Sequence, residues 1–281
     1  MTTQPPLKPF VFGANPVLPV SSSINRLSAL VWGPAGCGKT VLASTFPGKK
    51  LWLQFDPDAT ASIGARDDIE VVDFSAADHG IVEQMIERGS YEQDFERYFK
   101  EREVDTVVFD SATSFSQKAL TYGIVSGKAD GKGFRASLAQ PGISGYGLRN
   151  RYTLGAITML LRLTAKHKKH FVVLCHEDTP SKDSDGNIVS ITILLGGSLP
   201  QEVALQISEV WHMKDTGKPN ERLLRIRPFG VFQPMRSRMF DMTQSEPIIW
   251  NYDQATGKGH TVAAWYEAWR SGGFKKLPLP K

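Results

Sequence analysis

The residues from Gly33 to Thr40 have the types and the spacing of a phosphate-binding loop. They read Gly-Pro-Ala-Gly-Cys-Gly-Lys-Thr and match the pattern G-x-x-x-x-G-K-[ST] at every fixed position. Glycines permit a tight bend in which several backbone N–H groups point at one phosphate. Lys39 is expected to reach the β- and γ-phosphates of ATP, and the Thr40 hydroxyl is expected to hold Mg²⁺. The residues predicted to bind the nucleotide are Gly33, Pro34, Ala35, Gly36, Cys37, Gly38, Lys39 and Thr40.

The segments that flank this loop are the elements that such a motif requires. Leu27–Trp32 is apolar and predicts a buried strand, and Thr40–Phe46 predicts the first turns of a helix. The start of a helix adds the positive end of its dipole to the phosphate site. A chance glycine-rich turn is the alternative interpretation, and the agreement between the loop and its flanks argues against it.

A second acidic signature lies further along the chain, at Asp110. The segment Val104–Asp110 reads as an apolar strand that closes on a carboxylate. Ligands of open parallel sheets bind at the carboxyl ends of the strands, so Asp110 is predicted to hold Mg²⁺ through water. The structural alternative is that Asp110 caps the helix that begins at Ser111.

Composition favours a soluble intracellular α/β protein. The chain has 281 residues, of which 41% are hydrophobic, and this is enough for a sizeable core. The two cysteines, Cys37 and Cys175, lie in the loop and on a predicted strand, so they do not suggest a disulfide framework. No apolar run is long enough to span a bilayer, and prolines interrupt the amino terminus where a signal peptide would lie. The net charge of +4 is weak support for a polyanionic partner.

The order of segments predicts an extended arm, a core and a short extension. Residues 1–22 are proline-rich and form the arm, which is either a flexible leader or a strap that docks on a neighbouring subunit. The core covers 23–245, and 246–281 forms a C-terminal extension whose helix Thr261 can cap. Within the core, strands are predicted in seven further places; they are Lys50–Phe55, Ile69–Phe74, Val104–Asp110, Phe171–Cys175, Ile188–Leu195, Val210–Met213 and Leu223–Arg227. Helices are predicted over His79–Lys100, 114–125, the segment after Gly147, and Pro200–Ile207.

This order resembles the RecA-type ATPase core. The strand and phosphate loop come first, followed by a strand that ends in Asp56-Pro57-Asp58 and then by the strand that ends in Asp110. More narrowly, the chain resembles the small phage-encoded RecA-like proteins of the Sak type, which act in single-strand annealing and recombination. The resemblance covers roughly residues 25–245. It implies an α/β fold, namely a RecA-like P-loop NTPase core with a mainly parallel central sheet flanked by helices.

The resemblance also implies roles for residues outside the loop. In this family a second acidic residue polarises the attacking water, and Asp58 takes that place. The family pattern is Asp-x-Glu, so the side chain here is shorter by one methylene and hydrolysis is expected to be slow. His176 takes the place of a γ-phosphate sensor, and Arg236-Ser237-Arg238 resembles a basic pair that reaches a neighbour's nucleotide. The structural alternatives are a turn around Pro57, a solvent-facing histidine and a solvated basic turn.

Two loops correspond by their order to the DNA-facing loops of the family. The first, Gly127–Gly147, combines glycines with cations for phosphates and aromatic rings for base stacking. Its predicted DNA-binding residues, together with one at the start of the next helix, are Lys128, Lys132, Phe134, Arg135, Tyr146 and Arg149. The second loop, Thr179–Asn187, is more acidic and is expected to serve as a hinge more than as a contact. A mobile surface loop is the alternative for the first.

The function implied by this resemblance is ATP-dependent, Mg²⁺-dependent binding of single-stranded DNA by a homo-oligomeric ring or filament that promotes annealing or strand pairing. The binding is expected to be independent of sequence and sensitive to salt. A single-strand-binding protein is a further expected partner, a membrane is not, and the expected location is the cytoplasm of a bacterial host. The alternatives are a motor of the helicase or loader type with the same core, and a nucleotide switch that binds a protein and no DNA.

Overall fold

The computed structural model describes residues 11–12, 15–16, 26–64, 66–131, 135–243 and 247–280. Within these ranges the chain forms one α/β domain around a nine-stranded sheet. The strands, numbered along the chain, are β1 Val11–Phe12, β2 Asn15–Pro16, β3 Ser28–Gly33, β4 Lys50–Gln54, β5 Ile69–Asp73, β6 Thr106–Asp110, β7 His170–His176, β8 Ser181–Lys182, β9 Ile188–Ser190, β10 Glu209–Asp215, β11 Glu221–Arg225, β12 Ile248–Asp253 and β13 Lys258–Gly259.

Helices connect these strands and cover both faces of the sheet. They are α1 Lys39–Ser44, α2 Gly80–Val82, which continues as a π-helical turn over Glu83–Glu87, α3 Ser90–Glu101, α4 Ala112–Val125, α5 Gly142–Lys166, α6 Leu199–Gln206 and α7 Val262–Ser271, with a 3₁₀ turn at Ala59–Ile63. In the described part of the chain, none of them combines the length and the apolar content that crossing a membrane requires.

The central sheet is parallel in its middle and antiparallel at one side. Its strand order is β13-β12-β11-β10-β3-β7-β6-β4-β5, and the six strands from β10 to β5 run parallel. The predicted fold class, α/β with a mainly parallel sheet flanked by helices, is confirmed. Strand β7 lies between the phosphate-loop strand β3 and the strand β6 that ends in Asp110.

The apolar residues of these strands contribute to two hydrophobic cores, one on each face of the sheet. In β7, Phe171, Val173 and Cys175 pack on one face, whereas Val172 and Leu174 pack on the other. A strand covered on both faces reads as continuously hydrophobic, because every side chain is buried whichever way it points. This explains why the central strands were recognisable from the sequence.

The structure differs from the sequence predictions at two places, and at a third it bears out a break that the sequence left open. The helix predicted over His79–Lys100, with Gly89-Ser90 as its candidate break, is interrupted at Gly89, which has a φ of 63°. The strand predicted over Ile188–Leu195 is shorter, because β9 pairs with β8 outside the central sheet. The loop predicted over Gly127–Gly147 is also shorter, because α5 begins at Gly142. The glycines there indicated a loop, but Gly145 is buried where α5 packs against Leu120 of α4.

The predicted C-terminal extension, residues 246–281, contributes to the same sheet. Strand β12 pairs antiparallel with β11, and α7 buries Trp265 and Trp269 in the core below it. The Thr261 Oγ1 atom accepts a hydrogen bond from Ala264 N at 3.1 Å, so Thr261 caps α7 as its sequence position predicted. Of the predicted arm, the described residues of β1 and β2 form a short antiparallel pair.

Candidate nucleotide-binding site

The phosphate loop lies at the carboxyl ends of the parallel strands, between β3 and α1. Gly38 precedes α1 with a φ of 95°, a conformation that suits glycine and turns the chain into the helix. Gly33 lies so close to β10 that an added Cβ would stand 2.1 Å from the carbonyl oxygen of Met213. The loop geometry therefore depends on glycine at both positions.

Lys39 is folded back onto its own loop. Its Nζ donates to the carbonyl oxygens of Gly33 at 3.0 Å and Pro34 at 2.7 Å, and the residue is 7% exposed. A buried ammonium group that is held only by carbonyl oxygens has no counter-charge in these contacts. A phosphate bound in the loop would supply one.

Asp110 and Thr40 meet beside the loop. The Oγ1 of Thr40 donates to Oδ2 of Asp110 at 3.5 Å, and Nε1 of Trp52 donates to the same oxygen at 3.2 Å. Burial, followed by the charge of Asp56, raises the pKa of Asp110 to about 6. The structural alternative for Asp110 as a helix cap is not what is seen, since Oγ of Ser111 caps α4 by accepting from Ser114 N at 3.2 Å.

The oxygen atoms of Thr40 and Asp110 suit a hard divalent cation. Mg²⁺ prefers one or two protein oxygens together with water and phosphate oxygens, and these two side chains lie next to the phosphate loop. The residues present therefore match the predicted metal, which would neutralise phosphate charge when bound.

Asp56 faces the site, whereas the predicted catalytic residue Asp58 does not. Oδ2 of Asp56 lies 3.2 Å from Nε2 of His176, and Oδ1 accepts a short hydrogen bond from Ser114 Oγ. Asp58 is exposed in the following turn with a φ of 53°, and its side chain has no hydrogen bond within the described ranges. The two carboxylates flank Pro57 in this turn, and among the described contacts it is Asp56, not Asp58, that is bonded to His176 and Ser114.

The two carboxylates of the site are in opposite environments. Burial alone would raise the pKa of Asp56, but hydrogen bonds from His176, Ser114 and Ser111 outweigh it and lower the pKa. Asp110 also accepts hydrogen bonds, from Thr40 and Trp52, but its burial and the charge of Asp56 outweigh them and raise its pKa. Such a separation assigns different tasks to the two groups, with Asp56 as the ionised partner.

His176 ends β7 directly opposite Gly33, as the sequence order predicted. Its register partner is Gly33, and its backbone N donates to Thr113 Oγ1 at 3.0 Å. The imidazole is about one third exposed, at 32%, and bonded to Asp56, so it is not a freely solvated histidine. It therefore lies where a γ-phosphate sensor is expected to lie.

A buried chain of three side chains behind His176 was not predicted. Nε2 of His212 lies 2.7 Å from Oε2 of Glu177, and Nδ1 accepts from Nη1 of Arg225 at 3.3 Å. Because arginine can only donate, the His212 proton is on Nε2 and is donated to Glu177. Burial lowers the pKa of His212 to about 3, which keeps the ring neutral. No sequence signal joins these residues, since they come from three separate strands or strand ends.

Arg222 also contacts the phosphate loop and was not predicted. Its Nε donates to the carbonyl oxygen of Cys37 at 3.1 Å, and its guanidinium pairs with Asp215 at 3.3 Å. The residue lies on β11, two strands from β3, and this antiparallel strand brings it back over the loop.

An open cleft lies beside α1, between the turn after β4 and the β12–β13 hairpin. It is lined by Ile63, Gly64, Arg66, Tyr252, Gln254, Ala255 and Gly257. Arg66 donates to Oγ of Ser44 at the end of α1 at 3.3 Å, and Gln254 donates to the carbonyl of Ser62 at 2.6 Å. The first contact attaches one wall of the cleft to the helix that follows the phosphate loop, and the second joins the two walls to each other.

The predicted DNA-binding residues do not form one exposed cluster. Lys128 is paired with Glu87, whose carboxylate also accepts from the hydroxyls of Tyr122 at 2.8 Å and Tyr152 at 2.7 Å. Arg135 is exposed and has no partner in the described part of the chain. Lys132 and Phe134 lie outside the described residues.

The other two predicted DNA contacts lie on α5, Arg149 as predicted and Tyr146 instead of in the loop. Tyr146 is 46% exposed, and the guanidinium of Arg149 stacks 5.0 Å from the centre of its ring. Arg149 is half-buried against Gly196, so Tyr146 offers the more accessible surface.

The predicted second loop is an antiparallel hairpin that continues from β7. Backbone hydrogen bonds pair Asp178 with Thr192 and Leu194 with His176 at 2.8 Å each, and β8 and β9 continue the pairing. Asp183 stabilises the tip by accepting from the backbone N of Asp185 and of Asn187. This hairpin is rooted at His176, the residue bonded to Asp56.

Arg236 and Arg238 lie at the opposite ends of the strands from the phosphate loop. Arg236 donates to the carbonyl oxygens of Ile207 at 2.8 Å and Leu205 at 3.0 Å, just beyond and within the last turn of α6. Arg238 is exposed, and its guanidinium has no partner among the described residues. Within one molecule, therefore, neither arginine lies near the phosphate loop.

Comparison with known proteins adds a family match and one structural likeness. A family model described as an AAA domain matches residues 25–230. No curated protein sequence gives a match. Among solved structures, the crystal structure of the RadB recombinase aligns with a TM-score of 0.41 and 15% sequence identity, over 81% of this chain and 88% of that chain.

Proposed function

The chain belongs to the AAA domain family, and from that premise we propose that it is an ATP-dependent, single-stranded DNA-binding protein that acts as a RecA-like oligomer in phage recombination. One observation carries the proposal. His176, the predicted γ-phosphate sensor, is bonded to Asp56 and is also the root of the hairpin that follows β7. A movement of His176 in response to the nucleotide would therefore be transmitted along the backbone to this hairpin, which projects from the surface.

The hydrolytic roles follow from the contacts of the site. Lys39, Thr40 and the loop amides hold the phosphates of ATP, and Thr40 and Asp110 hold Mg²⁺. Asp56 orients the attacking water in place of Asp58, because it is the carboxylate that is bonded to His176. When a γ-phosphate is present, His176 exchanges its contact with Asp56 for one with the phosphate.

The cleft beside α1 suits the base of the nucleotide. Tyr252 supplies an aromatic wall and Arg66 a planar cation, while Gly64 and Gly257 leave room for a flat ring. Tyr252 belongs to the strand that follows the predicted core, which implies that the C-terminal extension takes part in binding.

The DNA-binding part of the proposal rests on fewer cations than the sequence predicted. Arg135 and Tyr146 are exposed, whereas Lys128 is neutralised by Glu87. Each phosphate contact adds to the salt dependence of binding. We therefore expect a shallow salt dependence for each subunit, with affinity built up along an oligomer.

The oligomeric part rests on the position of Arg238. It is exposed, unpartnered in the described residues, and remote from the phosphate loop of its own molecule. In a head-to-tail assembly it would reach a neighbour's nucleotide, and an arginine supplied in this way stabilises charge on the transferred phosphoryl group. Arg236 is less suited, because its guanidinium is bonded near the end of α6.

A nucleotide switch that binds a protein is the second candidate, and the hairpin after β7 favours it. The hairpin carries Asp178, Asp183 and Asp185 against Lys182, which is unfavourable for contact with DNA phosphates. It also exposes Ile188 and Val189 at 45% and 51%. Exposed apolar side chains next to an acidic turn are more typical of a protein contact than of a DNA contact.

The test is the binding of a fluorescent single-stranded oligonucleotide, measured by anisotropy without nucleotide, with ADP and with a non-hydrolysable ATP analogue. We expect affinity to rise at least tenfold with the analogue, and electron microscopy to show rings or filaments in that sample. Equal and weak binding in all three conditions would contradict the DNA function and favour the second candidate, the nucleotide switch that binds a protein. An Asp58→Asn variant is the matched control. It changes an exposed carboxylate outside the site, so it should show the same dependence of oligonucleotide affinity on nucleotide as the unaltered protein.

A further inference from the structure

A basic cavity lies at the amino-terminal ends of β3 and β10. It has a volume of about 440 Å³, and its lining includes Arg26, Ser28, Ser208, Arg236, Arg238 and Trp269. Ser28 begins β3 and Gly33 ends it, so the cavity and the phosphate loop are separated by about 17 Å along this strand. None of the lining residues that the structure describes is acidic.

Two of the three guanidinium groups lack a counter-charge. Arg26 is half-buried, and its Nη1 donates to the hydroxyl of Thr164 at 3.4 Å, a long contact with a neutral group. Arg238 has no side-chain partner in the described part of the chain. A partly buried cation without a carboxylate is costly, and an external anion would reduce that cost.

The third guanidinium is fixed in place by neutral acceptors. Arg236 is held by the carbonyl oxygens of Leu205 and Ile207. The carboxylate of Glu209, which acts on Arg236, is already saturated by Ser237 Oγ, Trp211 Nε1 and the backbone N–H groups of Arg238 and Met239. Glu209 therefore positions the turn that carries the arginines and leaves their charge available.

We propose that this cavity is a second anion site, which binds a phosphoryl group between Arg26 and Arg238. Guanidinium groups match phosphoryl oxygens because their planar N–H donors can contact two oxygens at once. The aromatic side chains of Trp269 and Phe274 close the apolar side. Arg26, which no sequence motif marks, becomes a binding residue.

The phosphoryl group has two sources, a nucleotide held by a neighbouring copy or the backbone of a nucleic acid. The site itself does not depend on the proposed function, because it is complete within one molecule; only the first source requires the head-to-tail assembly. The experiment therefore measures the isolated site first and the source second.

The first measurement uses a Lys39→Ala protein, in which the phosphate loop no longer binds phosphate. Titration with pyrophosphate in a calorimeter is expected to show one saturable site per chain. Arg238→Gln in the same background should weaken that binding at least tenfold. Arg151→Gln is the matched control, because Arg151 is exposed on α5, about 20 Å along the helix from Thr164.

A further variant separates binding from folding. Arg26→Gln removes the half-buried charge, so it should weaken pyrophosphate binding severalfold with little change in the unfolding midpoint. The absence of pyrophosphate binding in the Lys39→Ala protein, or equal binding in the Arg238→Gln and Arg151→Gln variants, would overturn the proposal.

The source is identified in a protein with an intact phosphate loop. If a neighbour's nucleotide is the ligand, mixing inactive Lys39→Ala with inactive Arg238→Gln protein restores ATP hydrolysis, because each supplies the part the other lacks. If a nucleic-acid backbone is the ligand, Arg238→Gln instead lowers oligonucleotide affinity at least tenfold relative to Arg151→Gln, and the mixture hydrolyses ATP no faster than its separate components. Either result supports a phosphoryl site at this cavity.

Discussion

The two ends of the parallel strands are chemically opposite. At the carboxyl ends, Asp56, Asp110 and Glu177 are each bonded to a histidine, a tryptophan or a hydroxyl, and Lys39 is folded among them. At the amino-terminal ends, Arg26 and Arg238 line a cavity whose described lining contains no carboxylate. At the carboxyl ends the carboxylates are paired within the molecule and Lys39 alone awaits the phosphate, whereas at the amino-terminal ends two arginines have no carboxylate partner among the described residues.

This difference indicates which end depends on something outside the molecule. Polar groups that are bonded to each other form a site that is ready before its ligand arrives. Cations without partners require a ligand or another subunit to supply the opposite charge. Head-to-tail assembly would bring the two ends together, since a heterologous contact joins different surfaces of identical molecules.

The largest expected effect tests the carboxyl end. Lys39→Ala should lower ATP affinity by at least about a hundredfold, because the ammonium group is the loop's main charge toward the phosphates. Calorimetric titration with ATP and Mg²⁺ measures it, and thermal unfolding checks that the protein remains folded. Unchanged ATP affinity would remove the assignment of this end as the nucleotide site.

The next effect separates the two acidic residues after β4. Asp56→Asn should slow ATP hydrolysis on the order of a hundredfold, because it removes the charge bonded to His176. Asp58→Asn should change turnover less than about threefold, because Asp58 is exposed in the turn. Both variants should bind ATP normally. The reverse ranking in a steady-state phosphate-release assay would restore Asp58 to the catalytic position.

A smaller effect concerns stability, since each end buries a histidine. Burial lowers the pKa of His170, at the amino-terminal end, to about 4 and that of His212 to about 3. Their folded-state pKa values lie below the unfolded value, so their contribution to stability is complete above about pH 6.5 and is lost as pH falls. We expect a loss of about 2 kcal/mol per histidine between pH 7 and pH 5.

Urea unfolding followed by tryptophan fluorescence at pH 7, 6 and 5 measures this loss. His170→Asn should remove the contribution of His170 to the pH dependence of the unfolding free energy and leave that of His212. The asparagine keeps an acceptor for the backbone N of Leu27, which donates to His170 Nδ1 at 3.0 Å. His79→Asn, at a site that is not buried, is the control and should leave the slope unchanged. A slope that is unchanged in the His170→Asn protein would show that the acid sensitivity has another origin.

The smallest effect concerns the first loop, beyond the carboxyl ends. Arg135→Glu should weaken oligonucleotide binding severalfold in the presence of an ATP analogue and should not alter ATP affinity, because Arg135 is exposed and unpaired in the described residues. Lys182→Glu, on the hairpin after β7, is the matched charge reversal and should have less effect. Equal losses in anisotropy titrations would place DNA contacts on the hairpin as well.

The strand pattern and the fixed positions of the phosphate loop were readable from the sequence because they are local. The parallel strands are apolar on both faces, and the loop needs its glycines, Lys39 and Thr40 at set spacings. Asp110 and His176 were recognised for the same reason, since each directly ends a strand that the sequence shows.

The tertiary structure alone decided which side chains face the site, which residues they pair with and which charges are neutralised. The turn at Pro57 presents Asp56 instead of Asp58, and Glu87 neutralises Lys128 from a helix about forty residues earlier. The amino-terminal cavity gathers Arg26, Arg238 and Trp269 from three distant segments. A sequence states which charges exist, but the cost of burying a charge depends on which partners the fold places within hydrogen-bond distance, and that is a property of packing.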